Sequence, residues 1–144
     1  MSPISKTTLT DWQNAQAQDP EFVAAEREME TGYQIARLEQ AGLNALLEKL
    51  LERYPAQIRQ VVLFGSKARN DFELDSDTDV LVLVENESWA FRFDIWKLAG
   101  QVELGYDLFF NIQVISMDRW QAMTRAGFSL CQNVTRDGIT LWER

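Results

Sequence analysis

Histidine is absent from the 144 residues of the sequence. Because histidine is the base of Ser-His and Cys-His catalysis and a frequent zinc ligand, its absence argues against those enzyme classes and against most zinc sites. Cysteine is nearly absent as well. The single cysteine, Cys131, cannot form an internal disulfide, which favours a reducing cytoplasm. With no histidine or second cysteine near it in the sequence, Cys131 is predicted to be a core residue.

Positive charge is also scarce, with 14 Lys and Arg residues against 22 Asp and Glu residues and a net charge of −8. Binding to a nucleic-acid backbone depends on clustered Lys and Arg, so strong nucleic-acid binding is not predicted. No apolar run approaches the roughly 20 residues of a membrane span, and the N-terminus lacks a basic-then-apolar signal pattern. We therefore expect a cytoplasmic protein, away from the membrane, whose 46% hydrophobic fraction is ample for one core.

One stretch, residues 61–84, combines apolar strands with acidic residues, and it reads VVLFGSKARNDFELDSDTDVLVLV. A buried strand precedes a Gly-Ser turn and a polar segment, and a second apolar strand follows. If strand geometry already holds at Asp77, the side chains of Asp77 and Asp79 share one face, with roughly 7 Å between their Cα atoms. Ionised carboxylates this close repel each other unless a cation lies between them. The pattern therefore predicts a site for Mg²⁺, with Mn²⁺ as a possible substitute.

The Gly-Ser turn supplies groups that suit an anion beside this metal site. Gly65 allows a sharp turn and a close approach of the backbone to a ligand. Ser66 can cap a short helical turn whose free amides point at an anion, and Lys67 and Arg69 add positive charge. Together with the carboxylates, these four residues predict binding of a nucleoside triphosphate. A hairpin with a solvated acidic connection is the simpler alternative, which single pieces of the pattern favour but the complete ordered set does not.

The order Gly65-Ser66, ten residues, then Asp77-Thr78-Asp79 resembles the GS-x10-DxD motif of the polymerase-β-type nucleotidyltransferase superfamily. More narrowly, it resembles the minimal nucleotidyltransferase (MNT) domains of prokaryotes, and the likeness runs from about Leu46 to the C-terminus. The resemblance implies an α/β (α+β) fold, a small mixed β-sheet with helices packed on it. We expect this core over residues 42–144, preceded by an N-terminal arm and helix over residues 1–41.

The resemblance also implies an activity, which is Mg²⁺-dependent nucleotidyl transfer from ATP to a protein hydroxyl. Asp77 and Asp79 would hold the metal, and Gly65 and Ser66 would bind the β- and γ-phosphates. MNT proteins are often paired with HEPN proteins in toxin–antitoxin modules, so a HEPN-like partner is expected. Whether the chain forms a homo-oligomer is left open.

One position departs from the family pattern, and it supports a second hypothesis. Enzymes of the superfamily bring a third carboxylate from the neighbouring strand, where this sequence has Asn111. An amide oxygen can be a metal ligand but cannot act as a base. Asp107 lies four residues away, roughly 13 Å along a strand, and is a poor substitute. The alternative is therefore a catalytically impaired binding module that regulates a partner by contact alone. Nucleotidylation of a small molecule is a third option, for which the chain looks short.

The flanking sequence predicts the remaining elements. An amphipathic helix is expected from Asp19-Pro20, then a break at Gly42 and a second helix ending near Tyr54. Ser88 is predicted to cap an aromatic-rich helix, whose side chains are either deeply buried or an exposed docking patch. The rest of the sequence predicts a strand over 106–116, helices over 117–123 and 127–136, and a strand over 139–142.

Overall fold

The computed structural model describes residues 8–18, 30–65, 68, 77–106 and 108–144. Within these ranges the chain forms, in order, two helices, two strands, a helix, a strand, two helices and a final strand. The helices are α1 (Leu9–Gln18), α2 (Glu30–Arg53), α3 (Trp89–Tyr106), α4 (Met117–Arg125) and α5 (Ser129–Asp137). The strands are β1 (Ile58–Phe64), β2 (Thr78–Val84), β3 (Phe110–Ser116) and β4 (Ile139–Glu143). None of the described helices is long and apolar enough to cross a membrane.

The strands form one mixed sheet in the order β3-β2-β1-β4. Strand β1 lies antiparallel to both β2 and β4, whereas β2 and β3 are parallel and are joined through α3. A parallel pair needs a crossover connection, and a helix is the usual one. The predicted fold class, a small mixed sheet with helices packed on it, is confirmed.

Alternation of side chains along β2 divides the core into two layers. Val80, Val82 and Val84 pack with helices α2 and α3 on one face of the sheet. Leu81 and Leu83 pack on the other face, with α4 and α5. Trp120, Cys131 and Val134 are the buried residues that these two helices contribute, so Cys131 is a core residue as predicted.

Helix α2 ends at Arg53, close to the predicted end near Tyr54, but it differs from the prediction because it continues through Gly42. A Cβ atom at Gly42 would overlap the side chain of Leu108. The glycine therefore allows Leu108 to approach the helix closely and does not end it, so the predicted break is wrong. The predicted helix start at 19–20 lies outside the described residues. The division of the chain between residues 41 and 42 stays a prediction.

Helix α3 begins as predicted, with the Ser88 Oγ accepting a 3.1 Å hydrogen bond from the Phe91 backbone N–H. The helix extends to Tyr106, so β3 begins at Phe110 and not near residue 106 as the sequence pattern suggested. The side chains of this helix divide between two environments. Trp89, Phe93 and Trp96 are exposed, while Ile95, Leu98, Ala99 and Val102 are buried. The exposed alternative is therefore the one that the structure shows for these three aromatic residues.

Candidate functional site

Three of the predicted site residues lie in a row across adjacent strands. Gly65 directly follows β1, whose last residue, Phe64, pairs with Asp79 of β2. Asp79 pairs in turn with Asn111 of β3. Because neighbouring strands lie about 4.8 Å apart, the row brings a sharp turn, a carboxylate and an amide close together at one end of the strands.

The turn at Gly65 is packed directly against the Asp79 carboxylate. Gly65 has a φ of 75°, which side chains other than glycine rarely adopt. A Cβ atom at this position would overlap Asp79 Oδ2 and lie 3.1 Å from Asp79 Cγ. Three residues further along the chain, Ala68 packs against the core layer that contains α2 and α3. Glycine is thus required at residue 65 for two reasons, the backbone conformation and the position of the carboxylate.

Asn111 is hydrogen-bonded to the same carboxylate from the other side, with Asn111 Nδ2 donating to Asp79 Oδ1 at 3.0 Å. An ionised carboxylate can only accept, so the amide must present its NH₂ group here. A carboxylate at position 111, which the superfamily pattern predicts, would place two negative charges against each other. The Asn111 amide instead donates a hydrogen bond that stabilises the Asp79 carboxylate. It adds no negative charge that could balance the charge of a metal ion.

Asp77 lies one residue before β2 and is exposed. Strand geometry therefore begins at Thr78, one residue later than the assumption that placed both carboxylates on one face. The Thr78 N–H donates to the Phe109 carbonyl at 2.9 Å, which holds the backbone next to Asp77 against the start of β3. Asp77 and Asp79 are thus the two carboxylates at the start of β2. Ser66, Lys67, Arg69 and Asp107 lie outside the described residues.

A family model described as polymerase beta, nucleotidyltransferase, matches residues 46–144. This chain belongs to the polymerase beta nucleotidyltransferase family. The superfamily predicted from the spacing of glycine, serine and aspartates is thereby confirmed. The matched region contains β1, β2 and β3, and so contains the whole row from Gly65 to Asn111.

The chain is similar to two proteins of Methanocaldococcus jannaschii, both provisionally named as protein adenylyltransferases. One is 27% identical over 105 residues, which are 72% of this chain and 98% of the relative. The other is 42% identical over 53 residues, 36% of this chain, and the match spans about half (54%) of that relative's length. The chain is also similar to a solved complex of a tri-AMPylated Shewanella oneidensis HEPN toxin with an MNT antitoxin, at 24% identity and a TM-score of 0.45. That match covers 73% of this chain and 72% of the other.

The donor atoms at the site are compatible with the metal that the nucleotidyltransferase family implies. Among the described residues, no three His, Cys, Asp or Glu side chains come together as a metal cluster. However, Mg²⁺ in nucleotide enzymes usually keeps several waters and takes only one or two carboxylates together with substrate phosphates. Asp77 and Asp79 supply two carboxylates, and the Asn111 side chain could supply a neutral oxygen if its amide rotated. The residues present therefore fit Mg²⁺ bound together with a triphosphate.

Substitution of Gly65 by alanine should both destabilise the protein and displace the Asp79 carboxylate. An alanine in the left-handed region costs about 1–2 kcal/mol, and the new methyl group also overlaps Asp79 Oδ2. Gly127→Ala is a matched control, because Gly127 has a φ of 77° and a Cβ atom there would have no neighbour within 4 Å. In urea unfolding both variants should lose stability, whereas binding of a fluorescent ATP analogue should weaken only in Gly65→Ala. Equal nucleotide binding by the two variants would contradict the assigned role of Gly65.

Proposed function

We propose that the protein is a Mg²⁺-dependent nucleotidyltransferase that transfers AMP from ATP to a hydroxyl group of another protein. The observation that carries the proposal is the row formed by Gly65, Asp79 and Asn111, with Asp77 beside it at the start of β2. Membership of the polymerase beta nucleotidyltransferase family supports the reaction type. The names of the two archaeal relatives support adenylyl as the transferred group and a protein as the acceptor.

In this proposal one part of the site binds the β- and γ-phosphates, and the other part holds the metal ion. Gly65 leaves space for the β- and γ-phosphates, and Ser66, Lys67 and Arg69 are the residues predicted from the sequence to bind them. Asp77 and Asp79 hold Mg²⁺. When bound, the metal ion neutralises the charge that develops on the phosphoryl oxygens.

The transfer itself is an in-line displacement at the α-phosphorus. The acceptor oxygen forms a new bond to the α-phosphorus, and the bond from that phosphorus to the oxygen bridging the α- and β-phosphates breaks. Pyrophosphate leaves with the electron pair of that bond. The hydroxyl proton leaves to water, because the Asn111 amide cannot accept it. The absence of a base at Asn111 therefore predicts slow turnover.

The partner that we propose is a HEPN-like protein, which follows from the resemblance of residues 61–84 to the MNT domains. The protein would then be the antitoxin-like member of the pair, acting in the cytoplasm. Its acceptor hydroxyl would lie on the partner.

The test is label transfer from ATP carrying a radioactive α-phosphate to the protein encoded beside this one. Label on the partner that requires Mg²⁺ and disappears with EDTA is the expected result. The Asp77→Asn variant, tested for folding by circular dichroism, provides the control for the site. Nucleotide binding without any Asp77-dependent label on the partner would reject the enzymatic proposal.

A second candidate function, neutralisation of a partner by contact alone, is favoured by two observations. Asn111 stands where enzymes of the superfamily have a third carboxylate, and it donates a hydrogen bond to Asp79. The side chains of Trp89 and Phe93 are 68% and 51% exposed on α3, a surface that suits contact with another protein. The double variant Asp77→Asn, Asp79→Asn separates the candidates. If it still binds the partner but no longer neutralises it, contact alone is excluded. If neutralisation survives, the enzymatic role is not required for it.

A further inference from the structure

Strand β3 and the residue before it present three side chains on the face that carries Asp79, and all three are exposed. Asn111 is placed on this face by its hydrogen bond to Asp79. Phe109 and Gln113 stand two residues before and after it, and side chains alternate along a strand. The residues between them point the other way, since Phe110 packs against the core layer of α2 and α3. We call the set Phe109, Asn111 and Gln113 the β3 strip.

The backbone around Phe109 is fixed although its side chain is 68% exposed. Its carbonyl accepts from the Thr78 N–H at 2.9 Å, and the next N–H, that of Phe110, donates to Glu103 Oε1 at 3.1 Å. Leu108, the residue before it, is buried against Gly42 of α2. A single exposed apolar side chain is common on protein surfaces, so it is the position of Phe109 that gives it meaning.

That position follows from the geometry of the displacement, and this step rests on the proposed function. The phosphates that leave lie at the Gly65 end of the row. An in-line attack must come from the side opposite the leaving group. On the sheet, Asn111 lies on the side of Asp79 that faces away from Gly65, and successive strands are about 4.8 Å apart. The acceptor hydroxyl therefore arrives over the β3 strip, with Phe109 and Gln113 each roughly 7 Å from Asn111 along the strand.

The outer edge of β3 is occupied by side chains, which limits how an acceptor can bind. Besides the bond from Phe110 to Glu103, the Ile112 carbonyl accepts from Trp96 Nε1 at 3.2 Å. The Ser116 N–H donates to Glu87 Oε2 at 3.2 Å. Side chains that cover an edge in this way oppose the addition of another strand. An acceptor must then contact the face of β3, where the strip is exposed.

The chemistry of the strip selects among acceptors, because it holds one aromatic ring and two neutral amides. The hydroxyl at the end of a nucleic acid lies beside phosphates, which need Lys or Arg partners. A polycationic sugar needs carboxylates. We propose that the acceptor is an uncharged protein segment in which an apolar side chain stands next to the hydroxyl-bearing residue and packs on Phe109. The amides of Asn111 and Gln113 would then hydrogen-bond the backbone of that segment.

The experiment compares four acceptor probes with the full-length protein, Mg²⁺ and α-labelled ATP. They are an uncharged peptide with leucine beside its hydroxyl residue, the same peptide with glycine in place of leucine, an oligonucleotide with a free 3′-hydroxyl, and an aminoglycoside. The leucine peptide should be labelled most efficiently. Because the leucine side chain would no longer be shielded from water by the ring, Phe109→Ala should raise the KM for this peptide about fivefold. The KM for the glycine peptide, the kcat and the binding of a fluorescent ATP analogue should stay unchanged.

Two further variants show whether the contact is specific. Phe109→Leu keeps an apolar side chain and should retain most of the affinity for the leucine peptide. Phe128→Ala is the matched control, because Phe128 is also exposed but lies between α4 and α5, outside the β3 strip. Its KM for the leucine peptide should equal that of the unaltered protein.

The outcomes separate this inference from the function on which it rests. Failure to bind the ATP analogue would count against the proposed function itself. Nucleotide binding with preferential labelling of the oligonucleotide or the aminoglycoside would overturn the acceptor class. Labelling of the partner protein but of none of the four probes, or peptide labelling with an unchanged KM in Phe109→Ala, would overturn it as well.

Discussion

Replacement of Asp79 by asparagine is expected to lower the rate of nucleotidyl transfer about a thousandfold. The change keeps the shape of the side chain but removes the negative charge that, in the proposed function, would hold Mg²⁺. A metal ion contributes several kcal/mol to such transfers, and each 1.36 kcal/mol corresponds to about tenfold in rate. Asp79 is the carboxylate in the middle of the row, in contact with Gly65 and hydrogen-bonded to Asn111. No other carboxylate in the described part of the chain makes both of these contacts.

The measurement is the initial rate of label transfer as a function of Mg²⁺ concentration, with thermal unfolding of each variant. Asp118→Asn is the matched control, since Asp118 is an exposed aspartate in the first turn of α4. It removes the same charge from the protein and should leave the rate unchanged. The midpoint of thermal unfolding should be nearly unaltered in Asp79→Asn. A folded Asp79→Asn variant with more than a tenth of the original rate would show that Asp79 does not hold the metal.

The arrangement of the row was accessible from the sequence because it depends on regular features of strands. A glycine after one strand and acidic residues before the next fix where the chain turns, and alternation fixes which side chains share a face. The resemblance to the superfamily placed Asn111 at the position of the third carboxylate, and the structure pairs it with Asp79. The superfamily followed from the same residues.

Other features were not accessible because they depend on contacts between distant parts of the chain. Gly42 is a plausible helix breaker in isolation, and only the packing of Leu108 explains its place inside α2. The exposure of Trp89 and Phe93 was equally undecided, because an aromatic-rich helix can be either deeply buried or an exposed docking patch, and only the fold shows these two side chains exposed. The predicted strand over 106–116 includes Phe109, and alternation places its side chain on the same face as that of Asn111. The exposure of Phe109 required the fold.

Replacement of Asn111 by aspartate is expected to increase the kcat of transfer about a hundredfold. The new carboxylate could accept the hydroxyl proton, and general bases typically contribute roughly 10²- to 10⁴-fold. It would also add a negative charge to the metal site, so the Mg²⁺ concentration for half-maximal rate should fall. Asn111→Ala is the control that removes the amide without adding charge, and it should not increase the rate.

The same substitution should make the thermal stability of the protein depend more strongly on Mg²⁺. Asn111 Nδ2 lies 3.0 Å from Asp79 Oδ1, so the aspartate would place a second carboxylate against the first. Two ionised carboxylates this close repel, and a hydrogen bond worth about 1 kcal/mol is lost as well. Without Mg²⁺ the variant should therefore unfold at a lower temperature than the unaltered protein, and Mg²⁺ should raise its midpoint more. A gain in Mg²⁺ affinity without a gain in kcat would mean that proton transfer does not limit the reaction, so that Asn111 changes metal binding alone.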